Sequence, residues 1–472
     1  MSSLLRRPPS SALVFLIALP LLWVRFGHWF YLSLDEGIYL EGARRVASGQ
    51  APYRDFFAIT GPGVFWLQGA VFHFFGTSLP AARAVLCLEL AATCAAIHSL
   101  VGRTATVTLA VGASFLYLAV LLTTLYPVYI THRWDSNTFA LLALCFVDRR
   151  PMLAGVLAAV AAWITPPLLL VAVALAFFVR LRRYWTGIAL VTVPALAVLV
   201  AQGALSALIQ SLLWDAANYS AANKLPWGAL HLAFQSFRAP DLIHYVDSIL
   251  PALLPPVAIL VGIVARVRRP VLVAAVAALA ACYPRFGGAQ LLFALAFFWI
   301  VAAASVPRRV QQGVGAAAIL IAVGSTALAW PKEKLKSIET PVGILQVSRL
   351  HFLTLKDLLE VTRPGDRVFV YPYLPALYFA LGVENPSRYA WLQPGMMSDA
   401  DVRSAITSLR SNPPKWVVWH DFTEGYILKN WPGSDRGRLR FHEMEDYLKS
   451  GYHVVVPDGV PTVGYKLMER NP

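Results

Sequence analysis

Acids and arginines crowd one stretch of this chain. Asp35, Glu36 and Asp55 fall close in sequence to Arg44, Arg45 and Arg54, and a shorter segment, Thr131-His132-Arg133-Trp134-Asp135, repeats the mixture. A carboxylate beside a hydroxyl can take its proton. An arginine fork can hold a phosphate through paired hydrogen bonds. Together they suit a site that binds an anionic head group and deprotonates something. Tyr283-Pro284-Arg285-Phe286-Gly287-Gly288 adds one more arginine beside two glycines. Each group also has a plainer role open to it. Ser33 could cap a helix with Glu36 as its capping-box partner and Asp35 favoured by the helix dipole. Asp135 could cap a helix starting at Asn137, and Arg285 could snorkel to phospholipid. Cys87, Cys94, Cys145 and Cys282 all sit in apolar runs without a CxxC pair or a histidine at ligand spacing, and read as small buried residues.

The elements that must hold these groups are set by composition. The chain has 472 residues, 57% hydrophobic and only 14% charged, with a mean hydropathy of +0.58, which fits a polytopic membrane protein and not a string of soluble domains. A formal charge of +14 would raise nucleic-acid binding in a soluble chain. Its distribution argues against that: residues 1–331 hold 22 Lys and Arg against 10 Asp and Glu, while 332–472 hold 18 against 16. The excess belongs to the apolar part, and no nucleic-acid partner is expected.

Apolar runs of roughly 20 residues can cross a bilayer, and the connectors between them alternate in charge. Arg6-Arg7, Arg103, Arg149-Arg150, the Arg180 to Arg183 cluster, Arg266 with Arg268-Arg269, and Arg308-Arg309 hold 13 basic residues and one acid, Asp148. By the positive-inside rule they face the cytoplasm. The other connectors hold Asp35, Glu36, Glu41, Asp55, Asp135, Asp215, Asp241 and Asp247 and face outward. Spans are expected near 11–31, 81–101, 105–125, 137–147, 151–163, 168–180, 186–203, 249–265, 271–283, 288–306 and 313–330. Leu13 to Trp23 follows Arg6-Arg7 like a signal-peptide core, but no small-residue cleavage site comes after it, so it is read as an uncleaved first span. Pro166-Pro167 divides 151–180, and a hairpin is preferred over one continuous helix because it keeps the Arg180 cluster inside.

This predicts a mainly α fold, a transmembrane bundle of about 11 spans over 1–331 with a cytoplasmic amino terminus. The first outer loop, 32–80, carries an amphipathic surface helix over 36–48 ended by Gly49 and an apolar stretch from Val64 to Phe75. Residues 332–472 form a small extracytoplasmic α/β domain, with strands at Arg367 to Tyr371, Lys415 to Trp419 and Tyr452 to Val456 and helices near 399–411 and 443–450. No phosphate-binding glycine motif opens a helix there.

An Asp-Glu pair closes the first membrane helix, Gly49 to Phe57 reads G-x-x-P-Y-x-D-F-F, and Gly61-Pro62 precedes an apolar helix ending in Phe75-Gly76. This order resembles the polytopic GT-C glycosyltransferases, and more narrowly the bacterial branch related to protein O-mannosyltransferases and lipid A aminoarabinose transferase. The likeness continues through Arg133-Trp134-Asp135, Tyr283 to Phe286, Pro364 to Tyr371 and Leu377-Tyr378. Gly61 stands where many relatives have Lys, and Gln290 where many have His.

The resemblance implies transfer of a sugar from a polyprenyl-phosphate donor to a hydroxyl acceptor, with inversion, at the outer face of the cell (inner) membrane. Asp35 is then the candidate general base. Arg285, with Arg133 and His132, would bind the donor phosphate. Glu36, Asp55 and Asp135 would orient the acceptor or hold a divalent cation, for which Asp35 and Asp135 are the candidate ligands. A cell-envelope glycan, lipid or protein is the expected acceptor, and membrane lipid a further partner. The competing class is a polytopic transporter or lipid flippase. Against it, the polar groups gather at one surface and no repeated halves are evident.

Overall fold

The computed structural model describes residues 10–32, 35–124, 128–225, 227, 242–329, 334–420, 422–455 and 465–472. Arg6, Arg7, Ser33, Asp241, Val456 and the expected domain boundary at 331/332 lie outside the described residues, as do the side chains of Asp215 and Asp247.

Helices lie at each of the expected spans. The first half runs α1 (Ser10–Phe26), α2 (Glu36–Ala47), α3 (Gly63–Phe75), α4 (Leu79–Val101), α5 (Val107–Thr123), α6 (His132–Phe146), α7 (Pro151–Ile164), α8 (Leu169–Ala176), α9 (Leu181–Ala201) and α10 (Leu205–Trp214). The helices Leu242–Val264, Arg269–Ala280, Gly288–Phe293, Leu295–Ala304 and Gln311–Ala329 follow. By length and composition three helices among the described residues suffice to cross a membrane: Leu79–Val101, Leu181–Ala201 and Arg308–Leu328; the other apolar helices are shorter. The expected span 288–306 is divided at Ala294.

Between α7 and α8 the chain does not run through as one helix. Proline disfavours the helical region for the residue before it. Thr165 accordingly adopts an extended conformation, φ −132° and ψ 97°, ahead of a tight turn at Pro166–Leu168. α8 then packs against α7. Elsewhere glycine lets backbones touch. A Cβ on Gly155 would stand 2.1 Å from the Tyr184 carbonyl, one on Gly187 2.0 Å from that of Met152, and one on Gly112 2.4 Å from that of Gly315. These contacts join α7 to α9 and α5 to Gln311–Ala329 by the small-residue packing that membrane helices use.

The carboxyl-terminal part holds two sheets. β1 (Lys336–Thr340) and β2 (Gly343–Val347) form an antiparallel hairpin. β3 (Val368–Tyr371), β4 (Trp416–His420), β5 (Tyr452–Val454) and β6 (Tyr465–Arg470) form a sheet of order β3-β4-β6-β5, with β3 and β4 parallel and the other pairs antiparallel. Helices at Ala376–Leu381 and Asp399–Ser411 make the β3–β4 crossover, and all four β3 residues are buried, as a strand covered on both faces requires. This part is strapped to the loop after α1: Phe30 N donates to the Gln346 carbonyl at 2.9 Å and Gln346 N to that of His28 at 2.8 Å.

Candidate active site

α2 starts where the chain leaves α1, and its first turn is locked from below. Glu36 is fully buried with Arg83 of α4, their charged atoms 2.7 Å apart. The Glu36 carboxylate also accepts from Ile130 N at 3.1 Å and Tyr31 N at 3.4 Å, while Arg83 donates to the carbonyls of Trp29 and Val128. One buried ion pair thus gathers the loop after α1, α4 and the segment before α6. An unpartnered charge there would be costly, so the pair fixes the geometry.

Adjacent residues on a helix point to different sides, and Asp35 faces the other way. It opens into a cavity of 390 Å³ that also takes in His132, Arg133 and Arg285. The volume falls within the range of small-ligand clefts. Tyr39, Tyr129, Phe293, Tyr373, Trp391 and Trp431 form much of its wall, and aromatic faces suit sugar rings and isoprenoid alike. Asp35 is reached by water through the cavity yet crowded by protein. Burial raises its carboxyl above the usual range, against the Tyr373 hydroxyl and the charges of Arg285 and Arg133, which pull it down. Tyr373, two residues past β3, donates its hydroxyl hydrogen bond to one Asp35 oxygen. The other oxygen has no protein donor among the described residues.

The basic groups come from two elements, the first turn of α6 and the segment before Gly288–Phe293. Arg133 lies in the first turn of α6, and its guanidinium has no hydrogen-bonding partner among the described residues. Arg285 is set by backbone pairing with Leu225, whose N donates to the Pro284 carbonyl at 3.1 Å and whose carbonyl accepts from Phe286 N at 3.2 Å. Its own side chain donates to Asn223 Oδ1 at 3.2 Å and to the Asn430 carbonyl at 2.7 Å. His132 Nδ1 is 2.7 Å from Thr165 Oγ1, and that hydroxyl donates to the His132 carbonyl at 3.1 Å. With its one proton so used, Thr165 accepts from Nδ1–H, which assigns the ring's lone pair to Nε2.

Three carboxylates expected beside Asp35 lie elsewhere. Glu36 is not a cavity residue, because its charge is consumed by Arg83, and the capping box expected with Ser33 falls outside the described residues. Asp55 accepts from Arg54 at 2.7 Å and from Ala51 N at 2.7 Å, a clasp within the loop in which the Arg54 bonds hold its carboxyl below the usual range. Asp135 sits inside α6, which begins at His132, and is not the cap of a helix from Asn137. Its carboxyl is buried beside that of Glu89 in α4. Asp35 and Asp135 therefore do not converge as metal ligands, and among the described residues no group of three His, Cys, Asp or Glu side chains does. Arg44, Arg45 and Arg54 stay outside the cavity as well. Arg44 pairs with Glu41 at 2.8 Å and donates to the Val383 carbonyl, Arg45 donates to that of Ser387, and Arg54 to that of Gln202.

Tyr373, Trp391, Trp431, Asn223 and Thr165 carried no signal in sequence that tied them to Asp35. The first three come from the carboxyl-terminal part, and Thr165 only from the break before Pro166.

No protein-family model matches the chain, and no curated protein matches it. Solved structures do. ArnT from Cupriavidus metallidurans in the apo state matches over 97% of both chains at 13% identity, with a TM-score of 0.52. The oligosaccharyltransferase of Archaeoglobus fulgidus, in complex with zinc and sulfate, matches over 96% of this chain and 72% of its own at 13% identity, with a TM-score of 0.51. Both matches run along nearly the whole of this chain, which shares the fold of these two proteins.

Proposed function

We propose that this chain is a membrane glycosyltransferase that moves a sugar from a polyprenyl-phosphate donor to a hydroxyl acceptor at the extracytoplasmic face, inverting the anomeric carbon. The observation that carries the reading is the meeting of one accessible carboxylate, Asp35, with two guanidinium groups, Arg133 and Arg285, in one aromatic-walled cavity. The GT-C fold supports the reaction class, and the alternation of basic and acidic connectors supports the orientation, with 332–472 outside and the amino terminus in the cytoplasm.

In this reading the acceptor hydroxyl attacks the anomeric carbon as its proton passes to the free oxygen of Asp35. The bond from that carbon to the phosphate oxygen breaks, and polyprenyl phosphate departs with the electron pair. Arg133 meets the negative charge that grows on the phosphate, with Arg285 beside it; His132, whose N–H is spent on Thr165, lines the cavity as a neutral ring. Burial strengthens Asp35 as a base, and Tyr373 keeps it oriented. The charge on the phosphate is met by protein cations.

Purified Asp35→Asn protein should fold and bind the polyprenyl-phosphate sugar while transfer falls by about 10²-fold or more, the usual worth of a general base. Wild-type turnover in that protein would remove Asp35 as the base. The transporter or flippase reading draws on one observation, the buried Glu89–Asp135 pair between α4 and α6. It gains ground if vesicles containing the wild-type protein move lipid-linked sugar across the bilayer without transferring it.

A further inference from the structure

A second opening, of 430 Å³, lies between the starts of α7 and α9, where Arg149, Arg150 and Arg183 stand over Met152, Leu153 and Thr186. α7 and α9 touch just beyond it, at Gly155 and Gly187, so the opening is bounded by packed backbone and not by a loose loop. The three arginines are exposed, and none has an ion-pair partner among the described residues. The acid next to them in sequence is already engaged: Asp148 accepts from Arg103 at 3.0 Å and from Arg268 at 2.9 Å. No other acid occurs in the basic connectors on this side of the chain. Three guanidinium groups on one small opening repel one another unless an anion sits among them.

The surroundings say which kind of anion. Met152 is 48% exposed, Leu181 55% and Trp185 44%. Apolar side chains and a tryptophan laid open next to arginines are the arrangement of a membrane–water interface. The opening is also remote from the catalytic cavity. Arg150 precedes α7 and Thr165 follows it, and 14 helical residues at 1.5 Å each separate the two by about 20 Å. An anion here is not the donor phosphate of the cavity.

We propose that this opening binds the phosphate of an anionic phospholipid, its head group held by Arg149, Arg150 and Arg183 and its acyl chains lying along Met152, Leu181 and Trp185. Such a lipid pins the ends of α7 and α9 at the face opposite the cavity.

The test uses full-length protein in detergent, titrated with phosphatidylglycerol, phosphatidylcholine or inorganic phosphate, with bound lipid read by native mass spectrometry and folding by Tm. Wild-type protein should prefer phosphatidylglycerol to phosphatidylcholine, the preference falling as salt is raised. Arg150→Gln with Arg183→Gln should weaken phosphatidylglycerol binding about tenfold or more, on the scale of interfacial arginine–lipid attraction. The pair leaves Arg149, Arg180 and Arg182 to hold the orientation, and Tm in phosphatidylcholine reports whether it folds. An equally exposed control, Arg308→Gln with Arg309→Gln, should bind as wild type does. The proposal is overturned if wild-type protein shows no preference, if the two double variants behave alike, or if inorganic phosphate raises Tm as much as the lipid does. The absence of a wild-type preference overturns the proposal even where the variant fails to fold, and Arg183→Gln alone then replaces the double variant in the comparison.

Discussion

Asp35 and Glu36 are neighbours in the chain and opposite in role. One turns into a cavity that water reaches, the other into a fully buried ion pair with Arg83. Their shared carboxylate chemistry was plain in sequence, but their division of labour was not, because it depends on which side of α2 meets α4. The same holds for Asp135, whose carboxyl faces Glu89 and not the cavity lined by its near neighbours His132 and Arg133. Tyr373 gives this scale its prediction. Its hydroxyl bonds Asp35 and so pulls down a carboxyl that burial has raised. Asp35 must be ionised to accept a proton, so transfer is present above its pKa and is lost as pH falls through it. Tyr373→Phe removes one lowering influence, the pKa rises further, and the acid limb of the pH–rate profile should move to higher pH. The loss should be larger at low pH than on the alkaline plateau. An unmoved acid limb would mean that Tyr373 does not act through Asp35.

The helices and their limits were the most legible level. α2 and α3 lie where the amphipathic pattern, Gly49 and the apolar run from Val64 predict them, and the break near Pro166 follows from local sterics. β1, β2 and β6 were missed, along with the helices Arg349–Val361, Ala376–Leu381 and Glu424–Asn430. β1, β2 and the two shorter helices take their stability from what they pack against, and their own pattern is weak. Ala376–Leu381 shows what that packing does, since it presses backbone to backbone on α2. A Cβ on Gly37 would fall 2.0 Å from Ala376 N, whereas one on Gly69 would meet the side chain of Val46 at 2.8 Å. Gly37→Ala should therefore cost about 1–3 kcal/mol, as overpacking does, and should also lower transfer by parting Asp35 from Tyr373. Gly69→Ala, whose new Cβ would meet Val46 and the Ala43 carbonyl only at 2.8 to 3.2 Å, should cost less in thermal unfolding and leave transfer near wild type. Equal effects would show that the α2 contact is not what aligns the site.

Over the whole molecule, charge and burial make separate statements. The basic connectors predict orientation, and the cavity with Asp35 lies at the junction of the first loop, α6 and the carboxyl-terminal part. In intact cells a membrane-impermeant thiol reagent should label Asp435→Cys and leave Arg268→Cys unlabelled; the reverse pattern would invert the orientation, cavity included. Background should be low because Cys87, Cys94 and Cys282 are buried and Cys145 is partly so. Composition, hydropathy period and charge alternation determined by themselves that this is a helical membrane chain with a terminal α/β region, since these are sums over local residues. Asp35, Arg133 and Arg285 stood out by residue type in the outward connectors, and the family resemblance supplied their expected roles. Only the tertiary structure decided which of the acids share a space with those arginines. It also decided that Tyr373, Trp391 and Trp431 close the cavity from the far end of the chain. Those outcomes rest on helix rotation and on contacts between residues hundreds of positions apart, which no local pattern encodes.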